Sequence, residues 1–521
     1  MPDFGFVGAS YEAPSIYQDA QECINFFPEI DPTQKAGQRG VVALYPTPGL
    51  VEELAFQSAE VRGMRALSGG QYLLVVVGNL VYSVSTTFVS TQVGTLTTVA
   101  GQVRITDNVT TNNGLTAYIV DGPNRYTWIA SSNTFATLPP TDGLWTGATS
   151  TDTVDSYIIY NEPGTQNWAV TDLGLAVTTT GNYGSKDGSP DSLVALIVDH
   201  RQVYLLGEVT TEVWVDVGNV ISGLTTFPFQ RISGTNMQHG CAAKYSIARF
   251  GESFMFVSKD TRGQAIIGAV NGYQFVRTST HAVEQTLIGV DLSTAVAYTY
   301  QMEGHEMYVV TFPAINLTWV YDLATQQWHK WLSWDNASGY YRHRSNCAAL
   351  FMGKNLVGDY QNGKVYSLNN AVYTDNGATI RRVRRAIHLT SDLQRQFFEE
   401  FQIQFQPGVG LTGSMIAETI YLQTQDGENL ITENGNYLIA DQKSEITQGS
   451  VPEAMLRWSN DGGSTWSNEH WVSIGKIGQY QNRAIWRRLG WSRDRIFEVA
   501  ITDPVKAVII SANLKASVGD N

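Results

Sequence analysis

AVAYTYQMEGHEMYVVTFPAINLTWVYDLATQQWHKW, residues 295–331, is followed at residues 350–369 by LFMGKNLVGDYQNGKVYSLN. Aromatic and β-branched residues come in short runs, each stopped by Gly, Pro, Asn or Asp, which is the pattern of short antiparallel strands. The spacing predicts strands over Met307 to Phe312, Thr318 to Asp322 and Trp328 to Trp331, with Leu323 to Gln327 and the Gly363 turn as hairpin connections. A sheet this small cannot bury both faces alone. Repetition around an axis, as in a β-propeller, solves that problem.

Upstream the rhythm recurs. RGMRALSGGQYLLVVVGNLVYSV turns at Gly69-Gly70 and Gly78-Asn79, and GLTAYIVDGPNRYTWIA repeats the scheme around Asp121-Gly122. Further units begin near Asp155, Leu193, Tyr245 and Ala295. The expectation is an all-β protein with a propeller of about six blades over residues 51–380, in which Asn346 to Leu368 completes the sixth blade or closes the ring.

Residues 1–50, with prolines from Pro14 to Pro48 and little alternation, read as an extended N-terminal arm pinned by Phe26, Phe27 and Tyr45. After Ile380 the strands lengthen, and FEEFQIQFQ alternates almost strictly, so residues 381–521 read as a C-terminal β-sandwich. Within it, residues 411–452 read as an inserted polar hairpin with turns at Asp426-Gly427 and Asn434-Gly435. No segment longer than about 12 residues has a convincing helical period; Ser391 to Glu400 is the best candidate, and it is short.

A composition of 48 Gly, 25 Tyr and 13 Trp against 34 Lys plus Arg favours turns and aromatic strands. A net charge of −14 argues against general nucleic-acid binding, which uses clustered cations; it fits first an ordinary acidic, solvated surface, and also a wall past which DNA slides. Cys23, Cys241 and Cys347 are far apart and read as buried small hydrophobes, not a disulfide framework or zinc site. The first residues lack a leader pattern, and no apolar run approaches the roughly 18 residues of a membrane span. Cytoplasmic assembly without membrane insertion is the expectation.

No catalytic, cofactor-binding or metal-binding constellation emerges. Glu208 with Glu212 and Glu399 with Glu400 read as solvated strand faces, and His239 and His343 lack ligand spacing. Ser459, Asp461, Gly463 and Trp466 fit the Asp-box pattern of sialidase propellers, in which the aspartate holds a turn. That single motif is the basis of an alternative reading, a carbohydrate-binding or glycan-hydrolysing propeller. Two arginine clusters, Arg381, Arg382, Arg384 and Arg385, then Arg483, Arg487 and Arg488, stand out in an acidic chain. They fit a subunit or partner interface, or local pairing within the sandwich.

Phrases spread in order over the chain resemble the packaged-DNA stabilisation proteins, also called tail hub or nozzle proteins, of short-tailed bacteriophages. They include CINFFPE, LYPTPGL, GSPDSLVALIVDHRQVYLLGEVTTEVW, FPFQRISGTNMQHGCAAKYSIARF, STHAVE, TWVYDLATQQWHKW, LVGDYQNGKVY, SNDGGSTW and IGKIGQYQNRAIWRRLGWSRDRIFEVAITDP. The resemblance implies a structural virion protein that forms a ring, six copies in number, below the portal and its adaptor ring. Such a ring extends the DNA channel, retains the genome without binding it specifically, and offers surfaces for tail fibres or spikes and for the tip plug or needle.

Overall fold

In the computed structural model the described residues are 5–31, 33, 41–139, 144–218, 220–221, 224–225, 227–260, 262–392, 394–411, 416–423, 430–433, 438–445 and 450–519. The chain divides into two compact units, one of residues 10–14 and 49–369, the other of residues 1–9, 15–48 and 370–521. Both are built almost wholly from strands.

Among the described residues the first unit holds seven sets of four antiparallel strands, five of which are separate four-stranded sheets. Blade 1 comprises Val61–Ala66, Tyr72–Val77, Leu80–Ser85 and Ser90–Thr95; blade 2 comprises Arg104–Thr110, Gly114–Val120, Arg125–Ile129 and Thr134–Thr137. Blades 3 to 6 open with Thr151–Val154, Leu193–Asp199, Ala248–Phe250 and Val296–Met302. Blade 6 continues with His305–Phe312, Leu317–Asp322 and Gln327–Lys330, as the opening stretch predicts. One cavity is lined by residues from the first strands of all seven sets, which places those strands around a common axis. The unit is therefore a β-propeller, with its core between adjoining blades, as where Tyr308, Val310 and Trp319 of blade 6 pack with Met255, Val257 and Ile267 of blade 5.

The blade count expected from the sequence is one too low. Ser345–Phe351, Lys354–Asp359 and Lys364–Asn369 are a seventh blade, and its outermost strand is Gly49–Ala55, from the other end of the unit. The two strands run antiparallel from Lys364 opposite Ala55 to Asn369 opposite Gly49. Lys364 meets Glu52 at 2.6 Å and Lys354 meets Glu53 at 2.7 Å across this seam. Pairing the first strand with the last closes the ring and leaves no blade incomplete at the join.

The second unit is a sandwich. One sheet orders Phe26–Ile30, Val42–Pro46, Ile509–Val518, Gln396–Phe405 and Ala484–Arg487; the other orders Ala20–Ile24, Arg382–Arg385, Asp494–Ile501, Glu453–Ser459 and His470–Ser473. Phe398, Phe401, Ile403, Phe405, Leu456, Trp486, Phe497 and Val499 fill the space between them, and Phe401 stacks on Phe497 at 4.8 Å. Residues 1–50, expected as an arm, instead supply three sandwich strands, and Cys23, Phe26 and Leu44 are part of this core. Ser391 to Glu400 does not form a helix: Gln396–Phe405 is a strand with alternating burial, because the Phe and Ile positions follow the period of a pleat. Ile416–Tyr421 pairs antiparallel with Ile439–Glu445, while the Asp426-Gly427 and Asn434-Gly435 turns lie outside the described residues.

Candidate functional site

The charged residues singled out in the sequence fall in the sandwich unit, where strand register sets their partners. Glu22 lies opposite Arg385, Arg385 opposite Glu498, and Glu498 opposite Arg457, so four neighbouring strands carry a row of alternating charge. Glu498 is 1% exposed. Its Oε2 accepts from Arg385 at 2.9 Å and its Oε1 from Arg457 at 2.6 Å, while Arg385 also meets Glu22 at 3.0 Å. Cross-strand opposite charges stabilise a sheet, and a buried carboxylate is tolerated where such donors satisfy it.

The Asp box sits against this row. Asp461 accepts from the Thr465 amide at 2.8 Å and the Ser459 and Thr465 hydroxyls at 2.6 Å each, while Ser459 Oγ accepts from the Gly463 amide at 2.8 Å. Gly462 and Gly463 both take positive φ, which the turn between Glu453–Ser459 and His470–Ser473 requires. The Ser459 hydroxyl, then Thr465, holds the Asp461 carboxyl down at about 2. Trp466 lies between two guanidiniums, 5.0 Å from Arg385 and 4.7 Å from Arg457. The box is thus a turn clamp seated on the charge row, with its carboxylate fully engaged.

The first arginine cluster splits in two. Arg384 is buried, donating to Phe6 O at 2.5 Å, Ala9 O at 2.8 Å and Gln21 Oε1 at 2.6 Å. Arg382, also buried, donates to Tyr373 O at 3.2 Å and Asp503 O at 3.4 Å. Burial pushes both guanidiniums down to about 10. These two are corrected from the interface reading, because both side chains are wholly buried and bonded to groups inside the chain. Arg381 and Arg385 are largely covered and paired with Glu469 and with Glu22 and Glu498. Arg483, Arg487 and Arg488 are exposed, with Arg487 held at 2.9 Å by Glu400.

Other sequence readings change as well. Glu212 does not lie on a solvated face: it is 1% exposed, 3.8 Å from Arg231 and 3.2 Å from Trp214 Nε1. Cys23 and Cys241 are buried and Cys347 is half-buried, and burial pushes their thiols up to about 12, 11 and 12. Among the described residues no group of three or more His, Cys, Asp or Glu side chains is placed to hold a metal ion, and no helix is long and apolar enough to cross a membrane.

Two family models match the chain in order. Residues 25–373 match the model described as Bacteriophage P22 Gp10, beta-propeller, and residues 429–517 the one described as Bacteriophage P22 Gp10, beta-sandwich. The chain belongs to the bacteriophage P22 Gp10 family. Its members are packaged-DNA stabilisation proteins of podoviruses, so this P22 Gp10 family chain is a structural protein of the phage tail. No curated protein matches it. Among solved structures, a chain of the "Crystal Structure of Mitotic Checkpoint Complex" aligns at 12% identity over 66% of this chain and 96% of that chain, with a TM-score of 0.39, a level that carries no argument.

The P22 Gp10 sandwich match begins at residue 429, inside the segment expected as an insertion over 411–452, so the later part of that segment belongs to the family pattern. Sequence reasoning missed Arg457 and Glu498. A signal was present in RIFEVAI, where a lone glutamate interrupts an otherwise apolar strand and so calls for a buried cationic partner.

Proposed function

We propose that copies of this chain close into a ring, six by the family likeness, below the portal and its adaptor in the phage tail. The ring extends the DNA channel, retains the packaged genome, and presents surfaces to tail fibres or spikes and to the tip plug or needle. The ordered match of both P22 Gp10 models to one chain is the observation that supports this reading. A ring needs heterologous interfaces that close, and permanent ones bury about 2,000–5,000 Å². With a net charge of −14 per copy, the assembled subunits repel phosphate, so DNA passes without specific binding and retention is steric. Assembly takes place in the host bacterial cytoplasm and no part of this chain enters a membrane.

Exposed Arg483, Arg487 and Arg488 are the part of the arginine set still available to a neighbouring acidic surface. The carbohydrate reading has no comparable support, since its one motif is occupied in holding a turn. Light scattering of the purified chain, alone and with the adaptor, tests the proposal. A closed ring in either sample is the expected result; a monomer in both overturns it.

A further inference from the structure

The cavity on the propeller axis has a volume of about 480 Å³, within the usual range of small-ligand sites. Its wall runs against the charge of the whole molecule. Arg65, Arg104, Lys244 and Arg249 line it with a single carboxylate, Asp152, in a chain of net charge −14.

Two of the four cations are neutralised within the protein. Arg249 Nη2 donates to Asp152 Oδ2 at 2.9 Å, and that carboxylate also accepts from the Val198 and Thr153 amides at 2.9 Å. Arg65 Nε meets Asp107 at 3.0 Å, and Asp107 accepts from the Ser68 amide at 2.8 Å. The other two have no carboxylate within ion-pair distance among the described residues. Arg104 Nη2 reaches only carbonyls, Ile247 O at 3.2 Å and Lys244 O at 3.5 Å, and its Cζ lies 5.6 Å from the Tyr245 ring. Lys244 Nζ lies 5.2 Å from the same ring. Arg104 and Lys244 are both half-buried, and burial pushes both below their ordinary values. Two half-buried cations beside one aromatic ring, with no carboxylate in ion-pair contact among the described residues, are favourable for an incoming anion.

We propose that the axial cavity is a binding site for a small multivalent oxyanion, phosphate or a di- or tricarboxylate, held between Arg104 and Lys244 beside Tyr245. The site is independent of the ring assembly. Arg104 supplies a planar fork and Lys244 a point charge, a pairing suited to an anion with several oxygens. Bound there, the anion ties blade 2 to the segment leading into blade 5, so it stabilises the folded propeller by mass action.

The test is calorimetric titration and thermal unfolding of the full chain with sodium phosphate and, separately, citrate, at ionic strength matched with sodium chloride. Saturable binding of either, with a rise in Tm beyond the chloride control, is expected. Lys244→Gln, at a side chain with no hydrogen bond among the described residues, should weaken binding about tenfold or more. Lys244→Glu, which places a carboxylate beside Arg104, should abolish it, while Arg487→Gln in the sandwich should leave it unchanged. No saturable binding, or binding that Lys244→Gln leaves unaltered, overturns the proposal. So does displacement of phosphate by a short DNA duplex with the same dependence on Lys244, which would make this a nucleic-acid contact.

Discussion

Glu498 shows how single side chains hold the sandwich unit together. It is buried between Arg385 and Arg457, and Arg385 reaches on to Glu22. Removing Glu498 takes the shared acceptor from both guanidiniums, leaving Arg385 only Glu22 and Arg457 without its carboxylate. Glu498→Gln should therefore lower stability by about 3–5 kcal/mol, read from the urea midpoint. Trp466 should report the same event by fluorescence, because it packs on both guanidiniums. A second residue-scale effect belongs to the propeller. His329 and His343 are buried there, and burial pushes them down to about 4 and about 3. Their unfolded values are near 6.5, so the unfolded chain binds more protons below that pH, and stability present above it is lost as pH falls. By pH 5 the loss should be about 2 kcal/mol for each histidine. Equal urea midpoints for the propeller transition at pH 7.5 and pH 5 would contradict this. At this scale the sequence was legible where partners are local. The Asp box closes over Ser459 to Trp466, so its turn could be read in advance. Arg384 could not, because its acceptors on Phe6 and Ala9 lie more than 370 residues away and are backbone atoms without a sequence signature.

At the scale of elements, the decisive one is Gly49–Ala55. It completes blade 7 from the other end of the unit's sequence, and Leu54 packs among Val61, Val75 and Val365. Truncating that side chain costs its transfer energy and leaves a cavity. Leu54→Ala should destabilise the propeller by about 2–5 kcal/mol, and hydrogen exchange should speed up in both Gly49–Ala55 and Lys364–Asn369. Faster exchange in only one of the two would show that the seam does not open as a unit. Blade 6 was readable because its strands and turns follow one another, with Phe312 opposite Leu317 across a short loop. The closing strand was not, since its partner begins more than 300 residues later, and Gly49–Ala55 carries too few residues to reveal a blade by itself. Ser391 to Glu400 misled for a different reason. It was the best candidate for helical periodicity in a chain with no convincing one, but the Phe and Ile pattern that decides the matter lies mostly further on, in Phe398, Phe401, Ile403 and Phe405.

At the scale of the molecule, the propeller and sandwich follow in the order of the P22 Gp10 family models, and the chain is strongly acidic while the propeller axis is lined mainly by cations. The acidity fits a surface past which DNA moves, and the axial cations fit a small ligand that stabilises each subunit. The central claim concerns what the subunits build together. Cryo-electron microscopy of virion tails containing this chain tests it most directly. The account predicts a closed ring of copies, each with a seven-bladed propeller and a sandwich, surrounding the DNA channel below the portal and adaptor. Tails that carry single, unconnected copies at the periphery, or virions that lack the chain altogether, would contradict it.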